Sequence, residues 1–521
     1  MARKQRNAPP SEPGPPAPPP IYRLALDWGV SIGLAVAMAV LIKWTVFDVY
    51  SIPSGSMEPV LHGDEQSGDR VFCFKQAYRF RKENRPERYE VVVFRFPVDD
   101  PNHDHYGQNY IKRCVGFPGE TVYVRDGDLY VAGRDQPVPK RAPKPLALQD
   151  SLWIPVHRQA FDHSDHDALW DAIRYHWEVI DTPEGAWTLG DGALRGETRT
   201  AIHLRYRARM DLETWPGVTD RHVKRQVVEF VCLSPSCGGR LRKTVASQQL
   251  TAYCPRCGDF MSEVNIDSDT FAQTGLVHRD QRPQRGDDYH LVRDLRLACR
   301  ATPRSDAGEL HLQLATSRDA FRARLGFGPT GRAVLERDGR PVAEAALPWP
   351  AGTARALALF RADGRVVLRV DGEEILRTEL DGSLPEAGIA TRRTEVQLSL
   401  VEGAATVDDL TLDRDLFYFY APYEELPPEA ELDGKRLDNR LAYFNNFLGD
   451  RSPATLGRLR HQAMRMARER CFIVPETGYL AFGDNQPTSN DSRQWGPAPE
   501  ANLIGPAYFI WWPPHRAAIL H

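Results

Sequence analysis

Residues 51–64 read SIPSGSMEPVLHGD, two serines bracketing Gly55 behind a proline, and residues 110–120 read YIKRCVGFPGE, one lysine between Ile111 and Arg113 ahead of a Gly-Phe-Pro-Gly turn. Between them VVVFRFP (91–97) is an apolar, β-branched run of the kind that fills a buried strand. Taken singly, the serine segment is an ordinary polar turn and the lysine an ordinary solvated charge on a strand. A third segment, VPETGYLAFGDNQPTSNDSRQWG (474–496), stands near the far end of the chain. All three follow, in this order, a long apolar run.

That run, WGVSIGLAVAMAVLIKWTVF (28–47), is 20 residues with a single charge. As a helix rising about 1.5 Å per residue it spans ~30 Å, the hydrocarbon thickness of a bilayer. A buried core helix is one alternative and a cleaved signal peptide another; the run is long for the latter and has no small-x-small site behind it. Lys43 lies one turn from its end, where it can snorkel beside Trp44. Arg3, Lys4, Arg6 and Arg23 precede the run, and Asp48, Glu58, Asp64, Glu65 and Asp69 follow it. The positive-inside rule then predicts a single-pass protein of the cell (inner) membrane, with a cytoplasmic N-terminus and residues 48–521 outside the cytoplasm. Residues 1–27 hold eight prolines between positions 9 and 20 and read as a disordered cytoplasmic tail.

At 521 residues the chain is long for one core, and 42% hydrophobic with 26% charged residues excludes both a polytopic membrane protein and a disordered chain. Lys plus Arg number 66 against 70 Asp plus Glu, a net charge of -4 that gives no reason to expect a nucleic-acid partner.

Together the anchor, SIPSGSMEP, VVVFRFP, YIKRCVGFPGE and the GDN and SNDSRQWG pieces of the third segment resemble the bacterial type I signal peptidases. These are membrane-bound Ser-Lys endopeptidases that remove signal peptides from exported preproteins, and the resemblance covers less than half of the chain. It implies that Ser56 is the nucleophile and Lys112 the general base, with no cofactor for catalysis. The chemistry is coherent, because a serine hydroxyl needs a base and lysine serves as one only when burial keeps its amine neutral. The resemblance further implies that Ser54 and the Ser56 N–H hold the oxyanion, and that Ser489 hydrogen-bonds the Lys112 amine. It makes Asp491 and Arg493 a supporting salt bridge, and Gly483, Asp484 and Asn485 a turn beside the dyad. Ile52, Pro53, Leu61, Tyr110 and Ile111 are expected to bind substrate, lining shallow pockets that accept Ala-x-Ala before the cut.

The chain also departs from the family pattern. Gln486 and Pro487 stand where the family has Arg and Asp, Arg88-Tyr89-Glu90 where it has Arg-Gly-Asp, and Asn109 where Asp is common. None of these removes a catalytic group.

Between Lys112 and the third segment lies far more chain than such a core needs. Cys232-x4-Cys237 and Cys254-x2-Cys257 have the spacing of a four-cysteine zinc ribbon, about 226–265, with two disulfides as the alternative. The ribbon's small basic cluster is no nucleic-acid site outside the cytoplasm. Period-two runs at 309–315, 333–345, 354–380 and 395–412, with Asp-Gly turns at 338–339, 363–364 and 371–372, predict a two-sheet β-sandwich. The sandwich is expected over 177–204 and 286–415, interrupted by the ribbon, and it resembles concanavalin-like jelly rolls. The histidine-rich loops at 101–107 and 157–171 read as solvated.

The expected fold is mainly β: a signal-peptidase-type antiparallel catalytic core with one N-terminal transmembrane helix, plus an inserted zinc ribbon and a concanavalin-like β-sandwich. The boundaries are tail 1–27, transmembrane helix 28–47, core 48–150, insertion 151–415 and core 416–521. The expected partners are exported preproteins and the lipid bilayer. A cytosolic self-cleaving repressor-type Ser-Lys enzyme is disfavoured by the apolar run. The other alternative is an anchored protein whose sandwich binds a glycan or a protein beside a degenerate peptidase core.

Overall fold

A computed structural model describes residues 21–158, 177–206, 213–214, 225–232, 240–246, 252–253, 260–272, 290–385, 394–420 and 453–520, apart from short gaps at 59, 65–67, 82, 99–100, 191–192 and 487–488. The described chain is mainly antiparallel β.

One eight-stranded sheet is built from both ends of the sequence. Its order is Phe47–Ser51, Arg70–Phe74, Leu503–Trp512, Val91–Arg95, Asn109–Gly116, Gly478–Phe482 and Ala498–Pro499, with Ala518–Ile519 beside Leu503–Trp512. The C-terminal strand Leu503–Trp512 therefore lies between two N-terminal strands, and Gly478–Phe482 lies beside the strand that carries Lys112. A chain interrupted by a long insertion closes into one sheet because strands pair through backbone groups whatever their separation in sequence. Val91, Val92, Val93 and Phe94 are all buried, as expected of a strand covered on both faces. Ile52, Met57, Leu61, Val71, Val91, Val93, Ala507 and Ile510 form one apolar cluster beneath the serine turn. A smaller sheet, Cys471–Ile473, Thr121–Arg125, Asp128–Ala132 and Lys140–Arg141, extends the core.

The insertion holds two further sheets. One runs Gly185–Gly190, Ala193–Thr198, Ala404–Arg414, Leu295–Pro303, Arg355–Ala362, Arg365–Val370 and Glu373–Glu379, with Ile154–Arg158 beside Ala404–Arg414. The other runs Arg340–Ala346, Arg332–Arg337, Ala320–Gly326, Glu309–Thr316, Thr394–Val401, Ala201–Tyr206 and Trp177–Ile180. Their inward side chains, among them Trp177, Leu204, Leu297, Leu312, Phe321, Trp349, Leu398 and Leu412, share one core. Alternation decides this: in Glu309–Thr316 the even positions 310, 312 and 314 are buried and their neighbours are not. The three Asp-Gly turns carry φ values of 51° and 76°, 48° and 75°, and 52° and 86°, the left-handed pairs that a two-residue hairpin requires. The strand Ile154–Arg158 lies ahead of the expected sandwich limits, because it pairs with the far end of Ala404–Arg414.

Arg240–Ala246, Arg225–Cys232, Phe260–Ala272 and Ala252–Tyr253 make a further sheet. Cys232 ends a strand, and Cys237, Cys254 and Cys257 lie outside the described residues. No group of three metal-ligating side chains occurs among the described residues.

The N-terminal helix runs Ile21–Thr45, not to residue 47, because Phe47 already pairs with Phe74 in the sheet. Trp28, Val30, Ile32, Leu34, Val36, Met38 and Val40 are exposed along it. Among the described residues no helix is long and apolar enough to cross a membrane; the side chains of Ala39, Leu41, Ile42 and Trp44 lie outside that description.

Candidate active site

Ser56 sits in a single 3-10 turn, Gly55–Met57, directly after the first strand of the sheet. Met57 packs into the apolar cluster below and fixes the turn, leaving Ser56 half-buried at its surface. A Cβ on Gly63 would lie 1.9 Å from the Ser54 carbonyl oxygen, so the loop closes on the turn at backbone distance. Ser54 precedes the turn in extended geometry and is exposed, and its side chain does not cap the turn.

Lys112 projects from Asn109–Gly116, and its Nζ lies 2.8 Å from Ser56 Oγ and 2.9 Å from the Ile111 carbonyl oxygen. Only 3% of the residue is exposed. Burial is the strongest influence on the amine and pushes its pKa down to about 8; Asp491 and Asp484 oppose that shift and Arg493 adds to it. A buried amine with no carboxylate bonded to it among the described residues is the arrangement that brings a lysine's neutral form within reach of mildly alkaline pH.

The turn after Gly478–Phe482 closes the site from the other side. The Asn485 N–H donates to the Ser56 carbonyl at 3.1 Å, and Asn485 Nδ2 donates to the Gly55 carbonyl at 2.9 Å. Asp484 takes a bidentate ion pair from Arg113 at 2.7 and 2.6 Å, and Arg113 Nη1 donates to the Tyr89 carbonyl at 2.6 Å. Asp491 receives Arg493 Nε and Nη2, both at 2.8 Å, and the Gly483 N–H at 2.9 Å. The Asp491 and Arg493 side chains are fully buried. Asp491→Ala would leave the guanidinium buried and unpaired, a loss of ~3–5 kcal/mol that denaturant unfolding of the purified variant should register.

Two sequence expectations change. Ser489 is buried, but its hydroxyl has no hydrogen-bond partner among the described residues, and Lys112 turns to the Ile111 carbonyl instead. Leu61 is fully buried and Ile52 2% exposed, so both belong to the cluster under the site and Leu61 presents no surface to a ligand. Pro53 is exposed, while Tyr110 and Ile111 are half-buried. Arg113 was not singled out, although it stands next to Lys112; its partner is 371 positions away, and only the fold brings them together. Two departures noted in the sequence lie against this turn. Tyr89, at the position of the family's glycine, has φ 70°, and Gln486 is buried with its amide toward the Gly483 carbonyl.

A model of the family described as signal peptidase, peptidase S26, matches residues 25–166 and 431–512, which include Ser56, Lys112 and the Gly483–Asn485 turn. The match is to the signal peptidase S26 family. The chain is 39% identical over 109 residues to a probable signal peptidase I-2 of Synechocystis, covering 21% of this chain and 46% of that protein. It is 29% identical over 179 residues to signal peptidase I of Pseudomonas aeruginosa, covering 32% and 57%. The chain thus spans about half the length of the curated signal peptidases it matches. Among solved structures, the carbohydrate-binding module CBM66 from Bacillus subtilis is similar at 8% identity and a TM-score of 0.25, over 46% of this chain and 95% of that one, a likeness too slight to bear on the insertion's ligand.

Proposed function

We propose that this chain is a membrane-anchored serine endopeptidase that removes signal peptides from exported preproteins, with Ser56 as nucleophile and Lys112 as general base. The observation that carries the reading is the 2.8 Å separation of Lys112 Nζ from Ser56 Oγ around an amine buried to a pKa of about 8. Neutral Lys112 takes the Ser56 proton as Oγ adds to the scissile carbonyl carbon. The Ser56 N–H and the Ser54 hydroxyl hold the oxyanion. Collapse breaks the C–N bond, and the leaving amine takes the proton from the Lys112 ammonium. Water, activated by the same amine, then hydrolyses the acyl-serine. Asp491, Arg493 and the Gly483–Asn485 turn hold the dyad in register.

Among the described strands, residues 109–112 pair on one side only, with 92–95, because Gly478–Phe482 reaches no further than Arg113. That free edge suits an extended peptide entering beside Pro53, Tyr110 and Ile111, with small residues at the first and third positions before the cut. Ile52 backs this groove from below. The apolar side chains exposed along Ile21–Thr45 support a bilayer anchor, and the charge asymmetry around them supports a cytoplasmic N-terminus with an extracytoplasmic active site. A tethered enzyme meets a tethered substrate at raised effective concentration.

The insertion keeps its zinc-ribbon reading. Val231 pairs with Arg240, Tyr253 with Phe260 and Cys232 with Met261, so the strand ends flanking both cysteine pairs lie together. One equivalent of zinc, lost in Cys254→Ser, is the expected metal analysis; metal-free protein with four oxidised cysteines contradicts it.

Detergent-solubilised protein incubated with a preprotein whose signal peptide ends in Ala-x-Ala is expected to release a mature chain that begins after the last Ala. Well-folded protein that leaves the preprotein intact supports the alternative, a degenerate core that only carries a binding sandwich.

A further inference from the structure

The insertion meets the catalytic core at a fully buried charge cluster. Lys144 Nζ, on the chain leading into the insertion, lies 2.9 Å from Asp363 and 2.8 Å from Asp415, all three side chains being 1–2% exposed. Asp363 belongs to a sandwich hairpin turn, and Asp415 follows the last sandwich strand. Uncompensated burial of any one of these charges is strongly unfavourable, so the cluster holds the sandwich in one seating on the core.

Two side chains carry that seating to the catalytic turn. The Tyr89 ring lies 5.9 Å from Lys144 Nζ, and its hydroxyl donates to the Ala142 carbonyl. Its backbone stands at φ 70°, a conformation that a bulky residue adopts only where its surroundings impose it. In that conformation the Tyr89 carbonyl meets Arg113, whose other nitrogens grip Asp484. Gln486 works from the opposite side. Its Nε2 donates to the Gly483 carbonyl, and its Oε1 accepts the Phe419 N–H at 3.3 Å, on the segment returning from the insertion. Tyr418, just before Phe419, places its ring 5.9 Å from Lys144 Nζ and 6.3 Å from the Phe482 ring, which directly precedes Gly483.

We infer that Tyr89 and Gln486 are positioning residues through which the seating of the β-sandwich insertion sets the register of the Gly483–Asn485 turn against Ser56. The insertion is then a working part of the peptidase and not an appendage. When either contact is lost the turn shifts, Arg113 neutralises Asp484 less well, and water reaches the dyad. Both changes favour the Lys112 ammonium, so the pH at which the base becomes active rises.

This inference rests on the proposed peptidase reading, and the test separates the two. The full solubilised chain is assayed for preprotein cleavage as wild type, Tyr89→Gly, Tyr89→Phe, Gln486→Ala and Gln486→Met, with near-UV circular dichroism as the folding check. Wild type without cleavage refutes the peptidase reading itself. With active wild type, folded Tyr89→Gly and Gln486→Ala are expected to lose ~10-fold in kcat with KM nearly unchanged, and to move the acid limb of kcat/KM to higher pH. Tyr89→Phe, which keeps the ring, is expected to stay within about twofold of wild type. Wild-type kcat and an unmoved limb in folded Tyr89→Gly and Gln486→Ala overturn the inference, as does a fall in kcat with no movement of the limb. Should Gln486→Ala not fold, Gln486→Met, which keeps the volume and loses both hydrogen bonds, reads the same contrast.

Discussion

Lys112→Arg is expected to abolish preprotein cleavage as fully as Ser56→Ala, a loss of ~10⁵-fold or more in kcat. The two substitutions fail for different reasons that reach the same end. Alanine at 56 removes the attacking oxygen. Arginine at 112 keeps a cation of similar reach but stays protonated at every accessible pH, so no group remains to accept the serine proton. Arginine also requires more room than a residue only 3% exposed provides, and its charge would be buried beside Arg493, which already disfavours a cation there. Folded Lys112→Arg with substantial activity would remove the amine from the mechanism.

Gly483→Ala is expected to cost ~10²-fold in activity while leaving most of the fold in place. A Cβ at 483 would lie 2.1 Å from Ser489 Oγ and 2.4 Å from the Ser56 carbonyl oxygen, distances that no real contact tolerates. The Ser489 hydroxyl can rotate away, but its Cβ, 2.6 Å from the added one, cannot, and the Ser56 backbone cannot move without taking its Oγ off the Lys112 amine. The Asn485 bond to the same carbonyl would lengthen in step. Cleavage rates of the purified variant against a Ser489→Gly control, which removes both the Oγ and the Cβ at 2.6 Å, separate the two collisions: if Ser489 alone were at fault, Gly483→Ala in a Ser489→Gly background would recover.

The groups proposed for catalysis were legible in the sequence because each lies in a short motif whose residues act locally. Ser56 in PSGSM, Lys112 in YIK and the Asp491–Arg493 pair two positions apart needed no knowledge of the fold. The sandwich hairpins were legible for the same reason, since an Asp-Gly turn encodes its own backbone geometry at 338–339, 363–364 and 371–372. Whatever depends on distant pairing was not. Arg113 finds Asp484 across 371 positions, and Lys144 finds Asp363 across 219, with no local signal for either. Leu61 is a pocket wall only by the resemblance. Sequence proximity cannot say which side of a turn faces the core, and here Leu61 lies beneath it. Tyr89 was visible only as a departure from a family glycine. Its positive φ and its place against the insertion explain how a tyrosine is held there.

The dependence of cleavage rate on pH tests the central claim most directly. If neutral Lys112 is the base, kcat/KM for a soluble signal-peptide substrate falls about tenfold per pH unit below the amine's pKa of about 8 and levels off above it. The sign follows from the chemistry: acid charges the amine, and the charged amine cannot take the serine proton. A rate independent of pH between about 6 and 9, or a limb that falls only below about pH 5 as a carboxylate base would give, contradicts the account.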